Sequence, residues 1–154
     1  MDRSIIESYS QGGMKLRAAV KDLTREDLLA FPVPGTWSIQ QIVIHLLDSD
    51  LISIDRMKRI IAMEKPLLIG YDETAFSKRL HYEEQSAVDA VTILDLSFKN
   101  FATVLRKMPD ETFQRQGVHN ERGLVTLESY LSHMVNHLDH HLKFVSEKRK
   151  LLGK

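Results

Sequence analysis

Hydrophobic side chains recur at intervals of three and four residues along most of the chain, the spacing that gathers them on one face of an α-helix. Four long stretches show this pattern, at about residues 4–20, 38–63, 85–108 and 126–151. The first has a weak point at Gly12 and Gly13, because glycine is a poor helix former. We therefore predict four long helices. No stretch shows the alternation of apolar and polar residues that is typical of an exposed strand.

Polar residues and prolines mark where these helices begin and end. Ser38 followed by Gln41 has the spacing of a capping box, and Thr126 is a typical N-cap. Pro66 and Pro109 follow the second and third helices. Residues 31–37 contain two prolines and cannot continue a helix.

Two connecting segments lack helical periodicity. Residues 67–84 are expected to be irregular, with room for one short helix, and could cover an opening. We interpret residues 112–125 as a loop, with a loose hairpin around residues 120–123 as the alternative. The third helix should bury its apolar positions, which are Val88, Val91, Leu94, Phe98, Phe101 and Leu105.

These elements predict an all-α protein: one four-helix-bundle domain over residues 1–154. The 21 basic side chains balance the 21 acidic ones, so the net charge is zero and nucleic-acid binding is disfavoured. The first twenty residues carry charges among the apolar ones, unlike a signal peptide, and no apolar run has membrane-spanning length. We expect a cytoplasmic protein without membrane partners.

The chain has no cysteine, which leaves histidine and carboxylates as the plausible protein ligands of a metal. Four of the seven histidines, His133, His137, His140 and His141, lie close together in the fourth predicted helix. Residues four apart lie about 40° apart around a helix, so either His133 and His137 or His137 and His141 could bind one ion. The apolar stripe lies nearer to His137 and His141, and we favour that pair, with His133 or His140 as possible replacements.

A further ligand would come from a facing helix, and His45, in the middle of the second helix, is the best-placed histidine. Periodicity alone puts His45 on the polar face of that helix, beside Asp48. Asp48 could accept a hydrogen bond from a ligand or bind metal itself. His81 and His119 lie in predicted connections, where we interpret both as surface residues.

Asp50 lies inside the apolar stripe of the second helix, where an ionised carboxylate is costly unless it is paired or hydrogen-bonded. It could orient a metal ligand or act as a general base. The alternative is a purely structural hydrogen bond to the Trp37 indole or to a loop amide.

Several of these motifs occur in the order found in one known family. Pro34-Gly-Thr-Trp-Ser38, the helix around His45 to Asp50, Gly117 to Gly123, and the run His133 to His141 resemble the DinB-like superfamily. The resemblance implies a four-helix bundle of DinB-like topology with a three-histidine divalent-metal site, often as a homodimer. Its ligand positions fall on His45, His137 and His141.

The resemblance also implies an activity. Characterised relatives include thiol transferases and isomerases that use low-molecular-weight thiols, and others are described as metal-dependent hydrolases. A three-histidine site leaves room for water or substrate, and nitrogen ligands suit zinc or nickel, with iron as a further candidate. We expect a small-molecule substrate, a thiol in the transferase case. The alternative is a non-catalytic metal- or ligand-binding bundle with a stress-associated role.

Overall fold

The computed structural model of the protein describes residues 1–154. The helices are α1 (Ser4–Ser10), α2 (Gly12–Ala19), α3 (Arg25–Leu29), α4 (Ile39–Ala62), α5 (Glu73–Arg79), α6 (Ala87–Lys107) and α7 (Leu127–Leu151). A 3₁₀ helix spans Asp110–Gln114, and the strands are β1 (Leu67–Leu68), β2 (Gln116–His119) and β3 (Gly123–Thr126).

The predicted caps form as expected. Ser38 and Gln41 make a reciprocal capping box at the start of α4. Thr126 caps α7 and pairs with Ser129. The predicted first helix is interrupted at Gln11, directly before the glycine pair, and so becomes α1 and α2.

The four-helix bundle is confirmed, with α1 and α2 together acting as one of its four members. α4 packs against α6 and α7, and the α1–α2 member also packs against α6 and α7. α4 therefore lies diagonally across the bundle from α1–α2. The apolar face of α6 contributes Leu94, Phe98, Phe101 and Leu105 to the core, but Val88 is 72% exposed, because it lies near the start of α6 on the outer side of the helix.

A small sheet corrects the expectation of a purely helical chain. β1 pairs in parallel with β2, and β2 pairs antiparallel with β3 across a turn that ends at Gly123, where φ is +72°. The hairpin that we held as the alternative is thus present, although at two to four residues the strands are too short to produce an alternating pattern. No helix of the protein is both long and apolar enough to cross a membrane.

Gly13 allows α2 to approach α6 very closely. A Cβ atom at this position would lie 2.2 Å from the Cα of Asp95, whereas one at Gly12 would meet the Phe98 and Leu138 side chains at 2.7 and 2.8 Å. Side chains can adjust more easily than the backbone of a packed helix.

We expect Gly13→Ala to lower the free energy of unfolding by about 2–3 kcal/mol, the upper part of the range for overpacking. Gly12→Ala, the matched control, should cost less. Urea denaturation of the two variants and the parent protein measures both effects. A Gly13→Ala variant as stable as the parent would show that α2 and α6 do not pack as described.

Candidate metal centre

One face of α4 carries a row of polar side chains that are buried inside the bundle. His45 is fully buried, Ser49 and Ser53 are buried, and Arg56 is only 8% exposed. We call these four residues the α4 row. They face a second polar row on α7, made of Tyr130, His133, His137 and His141, to which they are joined by contacts such as Arg56 Nη1 to the Tyr130 hydroxyl at 2.8 Å. His45 thus lies on the polar face of α4, as periodicity predicts, but that face does not point to solvent, because α7 covers it.

Three histidines converge where the two rows meet. The Nε2 atom of His137 lies 3.1 Å from that of His45 and 3.2 Å from that of His141. Ligand atoms of all three lie within 4.8 Å of one another, so the group could hold a metal ion. These are the three residues that the resemblance pointed to, brought together from two helices.

Burial keeps these imidazoles neutral. It lowers the pKa of His45 and His137 to about 3 and that of His141 to about 4, with smaller contributions from the charges of neighbouring histidines. A neutral imidazole has a free nitrogen lone pair for a cation. Three neutral Nε2 atoms therefore fit a divalent ion. The second nitrogen of a metal-ligating histidine usually donates to a partner; His45 Nδ1 has the Tyr71 hydroxyl at 3.4 Å, whereas His141 Nδ1 is buried without one.

Tyr71 and Glu73, which the sequence did not single out, both lie beside His45. The Tyr71 hydroxyl lies 3.4 Å from His45 Nδ1 and hydrogen-bonds the Ser49 hydroxyl. Burial raises the pKa of Tyr71 to about 12, so the phenol keeps its proton. The tyrosine comes from the irregular segment before α5, in which no periodicity marks one residue as functional.

Glu73 has the carboxylate nearest to the three histidines. Its Oε2 atom lies 4.0 Å from His45 Nε2, and the side chain is 54% exposed. Desolvation raises the pKa of Glu73 above its usual value. A carboxylate at this distance could join the ligands or accept a proton from a bound molecule.

The two aspartates proposed from the sequence lie elsewhere. Asp50 accepts hydrogen bonds of 2.8 Å from the hydroxyls of Tyr9 and Ser97, so its buried carboxylate faces α1 and α6 and neither Trp37 nor a loop amide. Asp48 accepts a hydrogen bond of 2.5 Å from the Tyr82 hydroxyl. Neither belongs to the group that could hold a metal.

The remaining histidines have different environments. The ring of His133 lies 6.0 Å from that of His137, and His140 is exposed and packs edge-on against Phe144. His81 is on the surface as expected. His119 is only 4% exposed, so its interpretation as a surface residue is wrong; the small sheet turns it inward, and its Nδ1 accepts a hydrogen bond from the Glu121 amide.

A cavity opens on the His137 side of the three histidines. It has a volume of about 100 Å³, and we call it the polar cavity. Charged and hydroxyl-bearing side chains line most of it, among them Arg56, Tyr71, Glu73, His119 and Arg122. Arg56 donates only to neutral acceptors, the Tyr130 hydroxyl and the Ile69 carbonyl. A polar molecule could therefore reach the histidines from this side.

Three neutral imidazoles converge between two helices of a four-helix bundle. Fold and site together define the protein as a helical bundle with a candidate metal centre. The sequence profile of the DinB superfamily matches residues 8–145. The chain therefore belongs to the DinB superfamily.

Relatives with descriptions of their function are similar over most of their length. The chain is 29% identical over 140 residues to "Putative metal-dependent hydrolase YfiT" of Bacillus subtilis, which covers 90% of this chain and 79% of YfiT. A protein of Oceanobacillus iheyensis with the same functional description is 26% identical over 137 residues, covering 88% of this chain and 79% of that protein.

The solved structure of Bacillus subtilis YfiT is described as that of a probable metal-dependent hydrolase with an unusual four-helix bundle topology. It matches with a TM-score of 0.92 at 28% identity and covers 97% of this chain and 86% of YfiT. The fold and the metal-dependent description of the relatives thus agree with the histidine cluster.

The buried carboxyl group of Asp50 should make stability depend on pH. Burial raises the pKa of Asp50 to about 6, although hydrogen bonds from Tyr9 and Ser97 oppose the rise. Because this pKa is higher in the folded than in the unfolded chain, Asp50 stabilises the fold at low pH, and that contribution is lost as the pH rises from about 4 to about 6.

Relative to the parent protein, Asp50→Asn should therefore gain about 3 kcal/mol in unfolding free energy between about pH 4 and pH 7, since one pKa unit corresponds to about 1.4 kcal/mol. Urea denaturation of both proteins across this range measures the difference, in which the opposing titration of the histidines cancels. Asp55→Asn, at an exposed position of α4, is the control. Identical pH profiles for the parent and Asp50→Asn would contradict the prediction.

Proposed function

We propose that this protein is a divalent-metal-dependent enzyme that acts on small molecules, with His45, His137 and His141 as the metal ligands. The observation that carries the proposal is the convergence of three neutral Nε2 atoms, two of them 3.1 and 3.2 Å from the third, beside a cavity of polar side chains. Three nitrogen ligands suit zinc or nickel, with iron as a further candidate, and leave a position for a substrate.

Held by His45, His137 and His141, a divalent ion would supply Lewis-acid chemistry, which lowers the pKa of water or of a thiol enough to give a nucleophile at neutral pH. The protein's own residues would prepare and orient the site. The Tyr71 hydroxyl, which also hydrogen-bonds Ser49, lies beside His45 Nδ1 and would fix the ring with Nε2 toward the ion. Glu73 is placed to accept the proton that the nucleophile gives up.

Within this proposal the reaction is the transfer of a low-molecular-weight thiol to an electrophile, with hydrolysis as the second candidate. Arg56 and Arg122 in the polar cavity favour a small molecule that carries a negative charge. The chain has no cysteine, so the thiol must come from the small molecule. The homodimer implied by the family resemblance and the cytoplasmic location expected from the sequence stay predictions.

Metal content tests the ligand set directly. Untagged protein purified without chelator or nickel resin should contain about one equivalent of divalent metal, and His137→Ala should lose it because one of three ligands is gone. His133→Ala is a matched control, one helical turn away on the same helix but outside the cluster. Added zinc should raise the melting temperature of the parent and of the control only.

Metal that persists in His137→Ala would overturn this ligand set. Metal absent from the purified parent, with no uptake of added zinc or nickel, would overturn the enzyme proposal. Metal bound without any activity would favour the alternative of a non-catalytic binding protein.

A spectroscopic titration separates the two reactions. In cobalt-substituted protein, a thiol that coordinates the ion should change the absorption spectrum, because the thiolate replaces another ligand. The probes are cysteine, glutathione and the low-molecular-weight thiol fraction of a bacterial extract, with S-methylcysteine as the control that lacks a free thiol. A spectrum that no thiol changes would exclude the transferase and leave the hydrolase.

A further inference from the structure

Helix α7 places two different cavities on either side of the histidine cluster. Tyr130, His133 and His137, on its earlier turns, line the polar cavity. His141, Phe144 and Lys148, on its later turns, line a second cavity. Because His137 and His141 are one turn apart, the cluster lies at the boundary between the two cavities.

The second cavity, here the apolar cavity, has a volume of about 340 Å³. It is open to solvent on one side and lies between the loop before α4, the first turn of α4 and the C-terminal half of α7; its lining includes Val33, Thr36, Trp37, Ile42, Phe144 and His141. Its volume is within the usual range for small-molecule sites, which are mostly apolar with a few placed polar groups. The polar groups here include a buried lysine.

Lys148 is only 4% exposed, and its ammonium group is poorly matched by its surroundings. Its Nζ atom donates one hydrogen bond, of 2.6 Å, to the Thr36 hydroxyl, although an ammonium group has three N–H donors. The acidic residue of the lining, Glu147, is exposed and forms no salt bridge with it. Burial lowers the pKa of Lys148, and the nearby Glu147 carboxylate only partly opposes this shift, which reflects the cost of burying a charge without a directly bonded anion.

An anionic group in the cavity would supply the missing partner. A carboxylate beside Nζ could accept the unused N–H donors and offset the cost of burying the ammonium group. The apolar part of the same molecule would then lie against Trp37 and Phe144. The Trp37 ring is stacked at 10° to the ring of His141, with 6.5 Å between their centroids, so a molecule packed on it lies beside the cluster.

We propose that the apolar cavity binds the second substrate, a small molecule with an apolar or aromatic body and one anionic group that pairs with Lys148. This inference rests on the proposed function, because the bound molecule is a second substrate only if the protein is an enzyme. The polar cavity would then receive the thiol or water from the His137 side, while the acceptor molecule occupies the His141 side. The binding step itself requires neither metal nor turnover.

Trp37 is the only tryptophan of the chain and lines the apolar cavity, so its fluorescence reports on binding there. The probes are 4-phenylbutyrate and 4-phenylbutan-1-ol, which share the phenyl body and differ in the charged end. Both are titrated into the full chain loaded with zinc, and again into metal-free protein, in which coordination of the carboxylate to an ion cannot contribute.

We expect the acid to bind about tenfold more tightly than the alcohol in both forms of the protein, equivalent to about 1.4 kcal/mol. Lys148→Met should abolish this preference while leaving the alcohol's affinity unchanged. Lys150→Met, at an exposed position two residues further along α7, should keep it. Phe144→Ala should weaken both probes, and this partly exposed position keeps the test valid if Lys148→Met does not fold.

Equal affinities for acid and alcohol in the parent, or a preference that survives Lys148→Met, would overturn the pairing with Lys148. No change of Trp37 fluorescence with either probe would overturn the cavity as a substrate site. These results are independent of the metal content of His137→Ala, so this inference and the proposed function can fail separately.

Discussion

The polar contact between α4 and α7 is the constraint on which the rest of the structure depends. Most of the bundle packs apolar side chains, but here two hydrophilic rows are turned inward against each other. Buried polar groups are costly unless they find partners. At one end of the rows Arg56 and Tyr130 satisfy each other. At the other end three neutral imidazoles point their Nε2 atoms at one another, an arrangement that a cation would stabilise far better than the histidines can by themselves.

The small sheet and the segment that follows β1 cover the contact between α4 and α7. Arg56 donates to the Ile69 carbonyl, and the Gly70 amide donates to the Asn120 side chain at 2.7 Å, which ties the segment after β1 to the β2–β3 turn. The chain then passes directly over the cluster and delivers Tyr71 and Glu73 to His45. A segment without periodicity thus becomes one wall of the site, because hydrogen bonds to the sheet fix its path.

The unequal cavities suggest how such a centre could handle two molecules. Charged and hydroxyl-bearing side chains dominate the lining beside His137, whereas Trp37 and Phe144 contribute apolar rings beside His141. A polar nucleophile and an apolar acceptor would therefore be drawn to opposite sides of the same cluster. Asp50 contributes to the protein differently, through a buried hydrogen-bond network with Tyr9 and Ser97 that joins α4 to α1 and α6.

The sequence by itself determined the four helices, the caps at Ser38 and Thr126 and the His137–His141 pair, because helical periodicity and capping are local properties. The family resemblance added His45, against the evidence of periodicity. Tertiary structure alone decided that the polar face of α4 is buried, that His119 turns inward, and that Tyr71 and Glu73 reach His45. Hydrophobic patterning assumes that polar residues face water, and it fails where two polar rows cover each other across a helix interface.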